Sequence, residues 1–214
     1  PCTIAAIKDY RPKSSSLSSG QVLPEPYPHE KARLIVREMA DQLSLELVEK
    51  GLVCSQFVLD IGYDAENLSA PVRQKTYHGP TKTDRYGRAV PAAAHGSVNL
   101  PGPASSARIL MQAAAEVFDR IADSRLSVRR VTVTAAGLLR QEEAQLVGGD
   151  QLDFFGNYAA HQQQKAELER ELSGQQAIVA LRQKYGKNAV LRGMDLQEGA
   201  TTKNRNGQIG GHKA

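Results

Sequence analysis

The sequence predicts an α+β fold in the split β-α-β-β-α-β arrangement, with two helices on one face of a four-stranded sheet. Residues 127–134 (Ser-Val-Arg-Arg-Val-Thr-Val-Thr) alternate between apolar and polar positions, as a half-buried strand does. Residues 29–50 and 107–123 instead repeat apolar residues at spacings of three and four, which is typical of amphipathic helices. Four strand-like segments alternate with these two helices, and a mostly helical C-terminal extension follows.

The first predicted strand covers residues 14–23. Alternation places Leu17 and Leu23 on one face and Ser16, Ser18 and Gly20 on the other. A glycine inside a strand indicates either the close approach of another backbone or a β-bulge. The first strand therefore offers one apolar face and one face of small polar residues.

The first predicted helix runs from His29 to Lys50. Pro28 suits its first turn, and Gly51 suits the position just past its end. Its apolar positions form one stripe, made of Ala32, Ile35, Val36, Met39, Leu43, Leu47 and Val48. The charged residues of this helix are of mixed sign, so we expect that side to be solvated.

The remaining elements of the sheet layer follow the same two patterns. Residues 52–63 form the second predicted strand, and residues 95–100 form the third. A serine at 105 or 106 is a suitable N-cap for the second helix, 107–123. The strand that starts at Ser127 is expected to run to about residue 139. Inward positions of these elements are Phe57, Leu59, Ile61, Tyr63, Val98, Leu100, Ile109, Ala113, Val117, Ile121, Val131 and Val133, and outward positions include Ser97 and Asn99.

The face of the sheet that the two helices leave bare is polar on all four strands. On the last strand it carries Arg130, Thr132 and Thr134, spaced about 7 Å apart because each pair is two strand residues apart. Phosphates along a nucleic-acid strand are separated by about that distance, and Arg and Thr are common phosphate partners. The alternative is an ordinary half-exposed strand with solvated side chains. Because the sheet face shows no aromatic residues for base stacking, any binding is expected to be backbone-dominated.

A long segment between the second and third strands, residues 64–95, carries clustered positive charge. The charge lies between Arg73 and Arg88, where the cations are Arg73, Lys75, Lys82, Arg85 and Arg88, Asp84 is the single acid, and Tyr77 and Tyr86 are interleaved. This net charge of +4 equals the excess of the whole chain. Clustered cations with aromatics favour nucleic-acid binding; a solvated hairpin is the alternative.

Composition excludes several other classes of protein. No apolar run approaches the about 20 residues of a membrane span, and no signal peptide is present. Cys2 and Cys54 have no CxxC spacing and resemble ordinary reduced thiols of an intracellular protein. Nothing indicates a nucleophile–base pair, a phosphate-binding glycine loop or a metal cluster. The chain starts at Pro1, so we expect it to be part of a longer protein.

These segments together resemble the C-terminal little-finger domain of Y-family (translesion) DNA polymerases, with bacterial DNA-repair members the most similar. The resemblance is carried by 14–23, 52–63 ending Asp-Ile-Gly-Tyr, 77–88 and the Arg-Arg-Val-Thr strand within 128–134. It implies a domain that grips primer–template duplex DNA through phosphates, in a bacterial, cytoplasmic and nucleoid-associated protein. We therefore predict DNA-binding residues at Ser16, Ser18, Gly20, Gln21, Arg73, Lys75, Lys82, Arg85, Arg88, Arg129, Arg130, Thr132 and Thr134.

Catalysis is expected to lie elsewhere in the parent protein. In the family, a palm domain with paired carboxylates and two Mg²⁺ ions performs the chemistry, and nothing in this chain resembles that palm. The chain is therefore expected to hold no cofactor, to have no catalytic residue and to be inactive alone. Asp60 and Asp64 are interpreted as structural, and Gln21 departs from the basic residue that the family pattern suggests.

A second motif follows the domain, after two glycines. Its residues are Gln151, Leu152, Asp153, Phe154 and Phe155. Adjacent exposed phenylalanines are unfavourable in water by about 1.5–3 kcal/mol each, so they either fold back onto the domain or anchor a partner. The pattern resembles the peptide by which bacterial polymerases bind the sliding clamp.

The predicted organisation has five parts: a tether at 1–13, a little-finger domain at 14–140, a linker at 141–150, a clamp-binding motif at 151–155 and a tail at 156–214. Residues 158–185 are expected to be helical with an interruption near Ser173-Gly174, and 193–214 to be extended or disordered. The alternative function is a non-polymerase α+β interaction module that presents a peptide and carries incidental basic charge.

Overall fold

An antiparallel sheet lies at the centre of the fold, seen in a computed structural model that describes residues 3–4, 15–69, 77–147, 158–209 and 212–213. The strands are β1 Ser16–Tyr27, β2 Leu52–Tyr63, β3 Thr81–Thr83, β4 Ala89–Pro91, β5 Ala94–Ala104, β6 Val128–Ala136, β7 Leu139–Arg140, β8 Gln208–Ile209 and β9 His212–Lys213. The central sheet has the order β1-β6-β2-β5, and β7 pairs with the start of β2.

Helices cover one face of this sheet and extend beyond it. They are α1 His29–Glu49, α2 Glu66–Ser69, α3 Ala107–Ile121, α4 Gln141–Val147, α5 Tyr158–Tyr185 and α6 Thr202–Arg205, with a 3₁₀ turn at Gly193–Leu196. No helix within the described parts of the chain is both long and apolar enough to cross a membrane.

The predicted inward face of the sheet is the hydrophobic core. Leu59 of β2 pairs with Val133 of β6, Ile61 pairs with Val131, and all four side chains are fully buried. Because the register puts these apolar residues side by side, the alternation in sequence becomes a continuous apolar surface. The predicted α+β fold with its helices on one sheet face is confirmed.

The two long helices of the domain pack on that surface. The apolar stripe of α1 is buried from Ala32 to Leu47. Gly51 follows α1 with a φ of 62°, the left-handed conformation that glycine adopts without strain. Helix α3 is capped by Ser106, whose Oγ accepts a hydrogen bond from the Ile109 amide. One of the two predicted cap positions is therefore confirmed.

Three features of the sheet region differ from the prediction, and the position of β1 at the sheet edge explains the first of them. Strand β1 does not end at residue 23 but continues through Pro24 and Pro26 to Tyr27. It is an edge strand, where a missing amide donor costs no ladder hydrogen bond. The short β7 adds a fifth strand to the predicted four. The segment 64–95, predicted to be irregular, contains α2 and a β3–β4 hairpin.

The C-terminal extension packs against the outer side of α1, which corrects two predictions. Glu38 and Asp41 of α1 were expected to be solvated but are 1% and 0% exposed. Glu38 accepts hydrogen bonds from the amides of Thr201 and Thr202, and Asp41 forms an ion pair with Arg192 at 2.6 Å. Residues 193–205 are consequently folded onto the domain rather than extended.

Helix α5 is continuous through the predicted interruption at Ser173-Gly174. Polar side chains along its length hold it to the domain. Glu171 accepts hydrogen bonds from the Arg108 amide and the Ser106 hydroxyl, so its carboxylate lies at the positive N-terminus of α3. Buried Gln175 donates to the Ser44 hydroxyl and to the Ser105 carbonyl. These contacts make α5 a third layer on top of the helices.

Other predicted segments fall partly outside the described residues. Most of the tether 1–13, residues 70–76 and residues 148–157 are not described. The first seven residues of the predicted linker form α4.

Cys54 is buried, and burial raises the pKa of its thiol to about 11, which makes it an unreactive core residue.

The buried carboxyls of α1 predict a pH dependence of stability. Burial raises the pKa of Glu38 and that of Asp41, so the folded protein retains protons that the unfolded chain has released. The free energy of unfolding is therefore expected to fall as pH rises from about 4 through the raised values. Urea unfolding at a series of pH values measures this slope.

The control is the double variant Glu38→Gln/Asp41→Asn, which has no titrating group at either position. Its stability is expected to be flat across the same pH window. Below that window, the lowered pKa values of Asp119 and Asp123, caused by hydrogen bonds from Arg33 and Arg125, make stability fall with acid. An equal slope in the wild type and the double variant above pH 4 would contradict the assignment.

Candidate nucleic-acid interface

The face of the sheet opposite the helices forms a surface of mainly polar and small residues, which we call the open face. It consists of Ser16, Ser18, Gly20 and Val22 of β1, Arg130, Thr132, Thr134 and Ala136 of β6, Gln56, Val58, Asp60 and Gly62 of β2, and His95, Ser97 and Asn99 of β5. Their alternation with buried residues follows from the two-residue period of a strand. The predicted sheet positions Ser16, Ser18, Gly20, Arg130, Thr132 and Thr134 all lie on it.

Arg130 is an exposed cation on the interior strand β6, at one end of the open face. Its strand neighbour in β2 is Gly62, and a Cβ atom built on Gly62 would lie 3.2 Å from the Cβ of Arg130. Among the described residues Arg130 has no ion-pair or hydrogen-bond partner. A guanidinium in this state is available to a ligand anion, for which its planar fork of donors is suited.

Hydroxyl groups follow Arg130 on one side, along β6 and the neighbouring β1. Ser18 and Thr134 share a hydrogen bond of 2.9 Å between their oxygens, which fixes both side chains on the surface. Gly20 lies opposite Thr132, and a Cβ at Gly20 would lie 3.3 Å from the Thr132 Oγ1. Gly20 and Gly62 therefore keep the surface beside Arg130 low, whereas its direct neighbour in β1, Val22, is an exposed apolar side chain.

An acidic group also lies on the open face. The Asp60 carboxylate and the His95 Nδ1 lie 2.7 Å apart and form a hydrogen bond. The side chains of both residues are about half exposed or more. Asp60 is opposite Thr132 in the register, so its carboxylate is close to the line of hydroxyls. This charge opposes the approach of an anion at that point.

The predicted basic loop is in part a hairpin, residues 77–91, with Lys82, Arg85 and Arg88 on its arms and turn. Asp84 holds the turn by accepting hydrogen bonds from the Arg88 and Tyr86 amides. The Arg88 amide is the main cause that lowers the pKa of Asp84, and the Arg88 guanidinium adds to it. The positive charge of Arg88 is thus partly neutralised, whereas Lys82 and Arg85 are exposed and have no ion-pair partner among the described residues.

Tyr86 occupies the tip of this hairpin with 69% of its surface exposed. The guanidinium groups of Arg85 and Arg88 lie 5.2 and 5.3 Å from the centre of its ring. The hairpin therefore presents an aromatic ring between two cations. The predicted residues Arg73 and Lys75 of the same loop lie outside the described residues.

Two predicted residues are not free on the open face. Gln21 points to the helix side, where its amide donates a hydrogen bond of 2.9 Å to the Thr201 hydroxyl. Arg129 lies at an irregularity in the pairing of β2 with β6 and is 3.7 Å from Asp64. Asp64 in turn accepts the Glu66 amide at the start of α2, as expected of a structural residue.

A comparison with protein families decides which group of proteins this surface belongs to. The model described as the impB/mucB/samB family C-terminal domain matches residues 14–150, well over half of the chain. The chain belongs to the Y-family polymerase little-finger family. The match decides against the alternative of a non-polymerase module. A search of curated proteins gave no significant match.

The little-finger domain contains polar residues of the open face that sequence analysis did not select as site residues. His95, Ser97 and Asn99 lie on the outer strand β5, and the Asn99 side chain accepts a hydrogen bond from Gln56 at 3.1 Å. Alternation in 95–100 placed Ser97 and Asn99 outward, so the signal was present. Their residue types alone do not distinguish a ligand contact from an ordinary surface position.

Neither a metal centre nor the predicted clamp-binding motif falls within the described parts of the chain. Among those residues, no three or more His, Cys, Asp or Glu side chains are grouped to hold a metal ion. The motif at 151–155 lies in a segment that is not described. Its role therefore stays a prediction from sequence.

Proposed function

We propose that this little-finger domain binds the phosphate backbone of primer–template duplex DNA with its open face and is recruited to the sliding clamp through residues 151–155. The parent protein would be a translesion DNA polymerase that acts in DNA repair. The observation that carries the DNA part is the exposed, unpartnered guanidinium of Arg130, which lies beside Gly62 and next to the hydroxyls of Thr132, Thr134 and Ser18 on the open face.

The chemistry of the open face favours phosphate over base recognition. Arg and Thr side chains with small residues between them contact phosphate oxygens, which carry no sequence information. The central sheet face has no aromatic side chain on which a base would stack. We therefore expect similar affinity for duplexes of different sequence and a steep dependence on salt, with a slope of about −0.9 per phosphate neutralised.

The basic hairpin supports the same function from beside the sheet. Lys82 and Arg85 are exposed, and Tyr86 is an amphipathic ring between two guanidinium groups. Cations add affinity through the release of counterions from DNA, whereas a ring at the tip contacts sugars or exposed bases. The hairpin would therefore extend the bound length of duplex beyond the open face.

Removal of the acidic group from the open face is expected to strengthen DNA binding. Asp60→Asn removes a carboxylate beside Thr132, and duplex affinity should rise by about two- to fivefold because one like-charge repulsion disappears. Fluorescence anisotropy with a labelled duplex at low salt measures the change. The matched control is Glu167→Gln on α5, an exposed acid away from the sheet face, which should leave affinity unchanged. Unchanged or weaker binding by Asp60→Asn would contradict the approach of phosphate to this part of the face.

A further inference from the structure

The C-terminal extension builds one wall of a groove along the free edge of β1, which we call the edge groove. Its volume is about 1400 Å³. The other walls are the outer side of α1, the end of α5 and the β1 edge itself. Arg130 and Thr132 also line it, so the groove is continuous with the open face.

Four cations of the groove are not used in ion pairs among the described residues: Arg130, Lys187, Lys203 and Arg205. Its two acids are already engaged, since Glu46 lies 3.6 Å from Lys50 and Glu49 accepts a hydrogen bond from Gln183. A fifth cation, Arg182, donates to the Gln42 side chain and to the Val190 carbonyl. The groove consequently has a net positive charge that its own carboxylates do not cancel.

Arg205 shows most directly that this charge lacks a partner. It is partly buried beside the β1 edge, and its guanidinium donates a single described hydrogen bond, of 3.0 Å, to the Ser19 hydroxyl. Burial lowers the pKa of Arg205, and the attraction of Glu38 offsets this only in part. A partly desolvated cation of this kind is stabilised by an anion that enters the groove.

Hydrogen bonds of the neighbouring residues Thr201 and Asn206 fix the position of Arg205. Thr201, four residues earlier, is locked in place by the Glu38 carboxylate and the Gln21 amide. Asn206 is held by hydrogen bonds to the Lys187 carbonyl and the Asn188 side chain. The segment from 201 to 206 is therefore a preformed wall, with Lys187 and Lys203 exposed on it.

From this arrangement we infer that the edge groove, built by the C-terminal extension, binds a further stretch of DNA sugar–phosphate backbone that continues past β1 from the open face. The inference rests on the proposed DNA-binding function of the open face. The polar groups that surround the cations, namely Ser19, Thr201, Asn204, Asn206 and Gln208, are hydrogen-bonding types that contact phosphate and sugar. The extension would thus have a direct role in holding DNA.

The test is the double variant Lys187→Ala/Lys203→Ala in the full chain. Both side chains are exposed and without described partners, so thermal unfolding should be unchanged. Duplex affinity at low salt is expected to fall roughly tenfold, and the salt slope should become shallower by about 1.8, the value for two phosphates. The matched control is Lys165→Ala/Lys184→Ala, two exposed lysines of α5 that do not line the groove.

The outcomes separate this inference from the proposed function. If the groove variant binds like its lysine control while Arg130→Ala still weakens binding, the groove does not contact DNA and the inference is overturned. If neither Arg130→Ala nor the groove variant weakens binding, the proposed function itself fails. Blunt duplexes and duplexes with a single-stranded template overhang are titrated in parallel. Loss on both assigns the groove to the duplex backbone, and loss on the overhang substrate alone assigns it to the template strand.

Discussion

Changing Phe154 and Phe155 together to alanine is expected to abolish binding to the sliding clamp without lowering the thermal stability of the domain. Each phenyl group that becomes buried in an apolar pocket of a partner contributes about 1.5–3 kcal/mol. Loss of both should weaken binding by at least about 100-fold. Surface plasmon resonance with immobilised clamp measures the affinity, and a thermal melt measures the stability.

A matched control for this change is Tyr185→Ala, which removes an aromatic side chain that is 64% exposed and outside the motif. It should leave clamp affinity intact. The competing explanation is that the two phenylalanines pack onto the domain. In that case the double variant would melt several degrees lower, and the loss of clamp binding would follow from lost structure.

Reversal of the charge at Arg130 is expected to have the largest effect on DNA binding. Arg130→Glu removes a charge-assisted contact and introduces repulsion, so duplex affinity should fall roughly 10- to 100-fold. The loss should be similar for unrelated duplex sequences, because phosphate contacts are common to all of them. Anisotropy titrations with two duplexes of different base composition test both expectations.

Arg170→Glu is the control for this reversal, because Arg170 is an exposed arginine of α5 away from the sheet face. Both variants change the net charge by the same amount, so a general effect of charge would lower the duplex affinity of both equally. Equal losses would contradict a specific role for Arg130. A loss confined to one duplex sequence would indicate base recognition instead of backbone binding.

Local patterns in the sequence were sufficient to predict the central sheet and its two faces. Val131 and Val133 alternate with Arg130 and Thr132, and the same alternation in β2 places Leu59 and Ile61 inward. Because the side-chain period of a strand is two, the pattern fixes which residues face the core once the strand is recognised. The open face, which forms the candidate DNA interface, could therefore be predicted from the same pattern.

Features that depend on distant parts of the chain could not be predicted in this way. Glu38 and Asp41 look like solvated helix residues because their partners, Thr201 and Arg192, lie more than 150 positions later. Strand β1 continues through two prolines only because it lies at the sheet edge, which the sequence does not reveal. The same long-range packing creates the edge groove. Contacts between distant parts of the chain thus account for the features that local sequence patterns did not predict.

Salt dependence of duplex binding by the wild-type domain, compared with Arg130→Ala, tests the central claim most directly. The account predicts tight, sequence-independent binding at low salt that weakens linearly on a logarithmic plot. It also predicts a slope shallower by about 0.9 in the variant, the value for one phosphate. No binding by the wild type at low salt, or identical slopes for the two proteins, would contradict the account.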